Sequence, residues 1–84
     1  MEYNVFEKQK KKISKLLNKL YSIQSHLQVL GKVEESQQIY NSFTYEVIQA
    51  NTRLLTREGF TLSSDDMKYF NSMWSYLKEH YPNL

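Results

Sequence analysis

No cysteine occurs among the 84 residues, so disulfide frameworks, thiolate nucleophiles and sulfur-ligated metal sites are excluded together. That lack fits a reducing compartment. Two glycines and one proline are too few for a β-sandwich or barrel, whose turns recur every ~8–12 residues. The isolated glycines leave no glycine-rich phosphate loop. No apolar run approaches the ~18 residues a membrane span needs. The stretch Met1–Glu7 has no basic segment followed by an apolar one, so no signal peptide is expected and the protein is read as cytosolic. The length suits one domain, residues 1–84, with a modest core and much surface left in water.

What the chain has is helical periodicity. Phe6, Ile13, Leu20 and Leu27 recur every seven residues, with Leu16, Ile23 and Leu30 three residues after the last three of them. This a/d seam is broken only at Gln9, and Leu17 widens it. Gly31 stands where a helix C-cap favours a residue without Cβ. A second segment, about 33–57, repeats the spacing with Val33, Tyr40, Val47 and Leu54, and Phe43 and Ala50 between them. Ile48 and Leu55 form a neighbouring stripe, so this helix is expected to touch apolar surface on two sides. Gly59 is expected to stop it. Ser63 is spaced to cap a third helix, with Asp66 as the acidic half of a capping box and Leu62 and Met67 as a hydrophobic staple. Met67, Phe70, Trp74, Leu77 and Tyr81 then form its core stripe before Pro82. The connections are short, which favours antiparallel neighbours. The fold class expected is all-α: an antiparallel three-helix bundle, up-down-up, with two long helices and a shorter third. Its core is expected to include Ile13, Leu16, Leu20, Ile23, Leu27, Phe43, Val47, Leu54, Phe70, Trp74 and Leu77.

Little here suggests bond-making chemistry. His26 lies on the flank of the first helix and His80 near the end of the third, neither with a partner four residues on, so no metal site is expected. Ser63, Ser64, Asp65 and Asp66 are explained by capping and by the helix dipole. No carboxylate pair sits in an apolar stretch that would raise a pKa for acid–base work. The chain is expected to be non-enzymatic, with no catalytic residues, no cofactor and no metal.

Two features point to binding. The net charge of +2 is uneven: residues 1–30 carry six lysines against Glu2 and Glu7, while the remainder is slightly acidic. Lys8, Lys11, Lys12, Lys15 and Lys19 fall within an arc of about 100°, read as lying largely opposite the seam. This basic face suits solvation, an acidic protein or anionic lipid headgroups. Nucleic acid is disfavoured by the lack of arginine in the cluster and of a helix-turn-helix unit. The second feature is aromatic. The chain has seven tyrosines, four phenylalanines and one tryptophan, crowded in the third helix. Beside its core stripe runs another, Tyr69, Met73, Tyr76 and His80. Tyr69, Met73 and Tyr76 are read either as a broad core edge or as a partner-binding patch, since such residues concentrate in interface cores.

Two stretches carry a family resemblance: Gly59-Phe60-Thr61-Leu62-Ser63-Ser64-Asp65-Asp66 before the last helix, and Ile48-Gln49-Ala50-Asn51-Thr52-Arg53-Leu54-Leu55 in the helix before it. Over roughly residues 45–80 the chain resembles the small immunity proteins of bacteria that make class IIa, pediocin-like bacteriocins. The resemblance implies a cytosolic helical bundle that acts at the inner membrane face. It would recognise a sugar-transporter receptor engaged by the bacteriocin and block the lesion. The chain departs from the family in its expected helix count, three against the usual four. It also departs in having only Pro82-Asn83-Leu84 after the last helix, where members often carry a tail linked to specificity. Two other classes use the same features: an inhibitor or adaptor encoded by a phage or other mobile element, and a self-associating protein whose first-helix seam pairs in a homodimer.

Overall fold

A computed structural model describes residues 2–84, with side chains from Asn4 onward. Met1 and the side chains of Glu2 and Tyr3 lie outside the described residues, and with them part of the N-terminal stretch read as lacking a signal peptide. The described residues form an all-α fold of three helices. The first spans Glu2–Val29, 28 residues with neither glycine nor proline. At about 1.5 Å per residue it is roughly 42 Å long, which sets the 44 Å long dimension of the molecule. It ends at Gly31, whose φ of 78° is the left-handed conformation that favours glycine. There the Gly31 N–H donates to Gln28 O at 3.0 Å and the Lys32 N–H to Leu27 O at 2.8 Å, the paired bonds of a Schellman cap.

The second helix follows directly and covers residues 33–56 in three pieces: Val33–Ile39, a π-helical turn at Tyr40–Thr44, and Tyr45–Thr56. In the wide turn the Tyr45 N–H reaches back five residues to Tyr40 O. The turn holds one residue more than an α-helix would, and this corrects the apolar spacing expected for the second helix. Read back from Val47 at α-helical spacing, Tyr40 and Val33 should be inside. The extra residue turns the first piece by about 100°. Ile39 is therefore buried in place of Tyr40, and Val33 is 63% exposed. At the other end Leu55 is 56% exposed, so the second apolar stripe does not reach it. The helix stops at an extended Arg57, and Gly59 (φ 75°) lies in the turn that follows.

The third helix runs Ser64–His80. Ser63 caps it as expected, its Oγ accepting the Asp66 N–H at 3.1 Å. Its buried residues are Phe70, Met73 and Leu77, while Met67, Trp74 and Tyr81 pack half-buried at the edge. The helix is thus rolled by about 45° from the expected stripe, toward Tyr69 and Tyr76.

The first-helix seam is the centre of the core. Ile13, Leu16, Leu20, Ile23 and Leu27 are all buried, joined by Val47, Ala50, Leu54 and Leu62. Phe43 and Trp74, placed inside on spacing alone, are half-buried against it. Three buried polar residues among those described complete the interior. Gln9 donates from Nε2 to Leu62 O at 2.9 Å and accepts the Leu62 N–H on Oε1 at 2.7 Å. Thr44, in the π turn, donates to Gln24 Oε1 at 2.7 Å, and Ser36 donates to Gln24 O at 3.3 Å. Among the described residues no buried side-chain nitrogen or oxygen lacks a partner. Nor is any described helix long and apolar enough to cross a membrane.

The end of the third helix is also tied down. Tyr81 donates its hydroxyl to Glu35 Oε2 at 2.7 Å, and Lys19 Nζ donates to Tyr81 O at 3.4 Å. Burial first, then the Glu35 carboxylate and nearby Tyr76, push the Tyr81 hydroxyl from 10.0 up to about 12. Because the folded value is the higher one, this stabilisation is complete below about pH 10 and is lost as pH rises toward 12. Alkaline melting curves should therefore fall more steeply for the wild type than for Tyr81→Phe across that window. Parallel curves would show that the hydrogen bond adds nothing.

Candidate partner-docking surface

The third helix presents two tyrosines one heptad apart. Tyr69 is 45% exposed and Tyr76 is 44% exposed, and seven residues of rise separate them by about 10 Å. Both lean toward the second helix. The Tyr76 ring lies 5.5 Å from Phe43 on one side and stacks on His80 at 4.0 Å on the other. Tyr69 packs 5.4 Å from Phe70. Burial, then the Glu46 carboxylate beside it, raise the Tyr69 hydroxyl above the ordinary phenol value. His80 holds its place by donating from Nδ1 to Tyr76 O at 2.9 Å.

Met73 does not belong to this surface. It is 3% exposed and sits in the core, because the roll of the helix carries it inward between the two expected stripes. What remains is a pair of half-exposed tyrosines whose inner edges pack on Phe43 and Phe70 and whose outer edges meet water. On the second helix Tyr40, which opens the π turn, and Tyr45, which follows it, have ring centroids 6.4 Å apart, and Tyr45 is 50% exposed. The wide turn alters which aromatics of the second helix face outward, and no residue type in 40–44 announces it.

The lysine face is placed differently from the sequence reading. Lys8, Lys11, Lys12 and Lys15 are exposed, whereas Lys19 is half-buried. Lys15 Nζ lies 5.2 Å and Lys19 Nζ 5.6 Å from the centroid of the same Trp74 ring. The arc is beside the seam, not opposite it. The reason is local: Lys12 is four residues before Leu16 and Lys19 three after it, and such neighbours share a helix face. Sequence reasoning had no signal for the other exposed apolar group, Val29, Leu30 and Val33 at the first turn, which are 84%, 55% and 63% exposed. Of the heptad seam, Ile13, Leu16, Leu20, Ile23 and Leu27 are buried within the chain, whereas Leu30, expected to continue it, is 55% exposed.

No family model, curated protein or solved structure matches the chain. The surface must therefore be read on its own chemistry. Half-exposed tyrosines on a fixed helix can bury apolar rings while keeping their hydroxyls wet, which is chemistry for holding a protein.

Proposed function

We propose that this protein is a non-enzymatic binding module that docks on a partner protein and blocks it. The observation that carries the reading is the exposed pair Tyr69 and Tyr76, supported from beneath by Phe43 and Phe70. Such a pair is already ordered before binding, so less rotamer freedom is lost on contact. The reading takes the molecule as an up-down-up bundle. Gln28 with Ser36 and Gln24 with Thr44 run in opposite senses along the first two helices, while Gln9 with Leu62 and Lys19 with Tyr81 run in the same sense along the first and third. It places the protein in the cytosol, which the lack of cysteine suits. A bacteriocin-immunity role is the most concrete form of such blocking, and an inhibitor carried by a phage or mobile element is the other.

The test is a double variant, Tyr69→Ala with Tyr76→Ala. Tyr69 leaves one aromatic neighbour and Tyr76 leaves two, each pair worth ~0.5–1.5 kcal/mol, so the stability loss should be about 2–4 kcal/mol with helical content unchanged. Interface energy concentrates in a few such residues, so affinity for a protein captured by the wild type should fall about 100-fold. If the double variant unfolds, the tyrosines are structural. If it stays folded and binds as before, the docking surface is not here.

A further inference from the structure

A second surface lies on the other flank of the third helix. A groove of about 300 Å³ opens between it and the first helix, with Ile13, Leu16, Phe70 and Trp74 among its lining and Lys12 and Lys15 at its rim. No carboxylate of the described residues lines it. Lys78 falls four residues after Trp74 and seven after Asn71, and so adds a cation on the same flank. The lysines are also badly placed for stability. Lys8 and Lys12, Lys11 and Lys15, and Lys15 and Lys19 are each four apart on the first helix, where like charges repel. Lys15 and Lys19 are moreover drawn to one indole. An apolar floor beside ammonium groups, with no carboxylate among the described lining residues, asks for an apolar side chain flanked by acids.

We propose that this groove binds an acidic segment of a partner protein, seating one large apolar side chain against Trp74 and pairing its carboxylates with Lys12, Lys15 and Lys19. Lys12 and Lys19 are about 10 Å apart along the helix, which matches carboxylates seven residues apart on a docked helix. A volume of 300 Å³ is at the small end of the range for bound ligands and suits a single side chain. A lipid surface fits worse. A flat bilayer would have to enter a concave site, and Val29, exposed with Leu30 and Val33 at the first turn, lies about 21 Å along the first helix from Lys15, close in sequence to Glu34 and Glu35. The site is separate from the Tyr69 and Tyr76 surface and its test does not depend on that reading.

Trp74 is the only tryptophan of the chain, so its fluorescence reports the groove directly. The full chain should be titrated with a 14-residue helical peptide that carries glutamates seven apart and a leucine midway, and with a twin carrying lysines in their place. The glutamate peptide should shift Trp74 emission with an affinity that falls as salt rises, and the twin should not. Lys12→Glu with Lys15→Glu should weaken the glutamate peptide at least tenfold and admit the lysine twin. Lys12→Gln with Lys15→Gln should weaken the first without admitting the second, with circular dichroism verifying the fold of each. The proposal fails if both peptides bind alike or if neither binds. It fails equally if charge reversal leaves affinity unchanged, or if phosphatidylglycerol vesicles or single-stranded DNA shift Trp74 where the glutamate peptide does not.

Discussion

Replacing Leu20 by alanine should lower the melting temperature by roughly 10 °C or more. Leu20 is wholly buried at the middle of the first-helix seam, with Ile13, Leu16, Ile23 and Leu27 buried around it. Truncation there removes the transfer energy of the side chain and leaves a cavity that two rigid helices cannot close, a loss of ~2–5 kcal/mol. In a domain of this size each kcal/mol moves the midpoint by about 4–8 °C. Leu55→Ala is the matched control, since Leu55 is 56% exposed on the second helix. A thermal melt that moves equally for both, or for neither, would show that the seam does not carry the core.

Gln9→Leu is expected to destabilise by about as much, although the heptad spacing argues the opposite. In the seam a leucine at residue 9 repairs the single polar break and should strengthen it. In the folded protein the Gln9 amide satisfies both backbone groups of Leu62 at a buried site. A leucine of similar size keeps water out and leaves that N–H and C=O without partners, each costing ~1–3 kcal/mol. The sign of the change in a denaturation curve therefore decides between the two. Stabilisation would mean that Leu62 finds other partners and that the amide pairing is incidental.

Gln9 also marks where sequence reading reaches its limit. Ile13, Leu16, Leu20, Ile23 and Leu27 were legible because a buried seam leaves a period of three and four whatever it packs against. The Gly31 and Ser63 ends were legible because capping is local chemistry between neighbours in sequence. The partner of Gln9 is 53 residues away, and nothing near residue 9 names it. The π turn was hidden for a different reason. Its five residues, Tyr40–Thr44, are compatible with an ordinary helix, and only the tertiary fit of Thr44 and Ser36 against Gln24 separates the two registers. The same limit governs the candidate surfaces. Spacing put Tyr69, Met73 and Tyr76 on one stripe. The roll that buries Met73 depends on where the first and second helices leave room. The groove beside Trp74 needed the pairing of two helices before its lysines and its floor could meet.

The ties at Leu62 and Tyr81 have a consequence for how the molecule opens. They hold the third helix at both ends, to Gln9 on one side and to Glu35 and Lys19 on the other. Most helices at the edge of a bundle fray from their ends, giving amide hydrogen exchange that is fast at the tip and slows inward. Here the tip is fastened, and unwinding its last turn requires the Tyr81 bond to part first. The segment Ser64–His80 should therefore lift away as one cooperative unit, with a single opening free energy shared along its length. Severing either tie would speed exchange at the far end as well as the near one. A partner seated in the Trp74 groove would bridge the first helix and this moving piece, and so would slow its release from the rest of the chain.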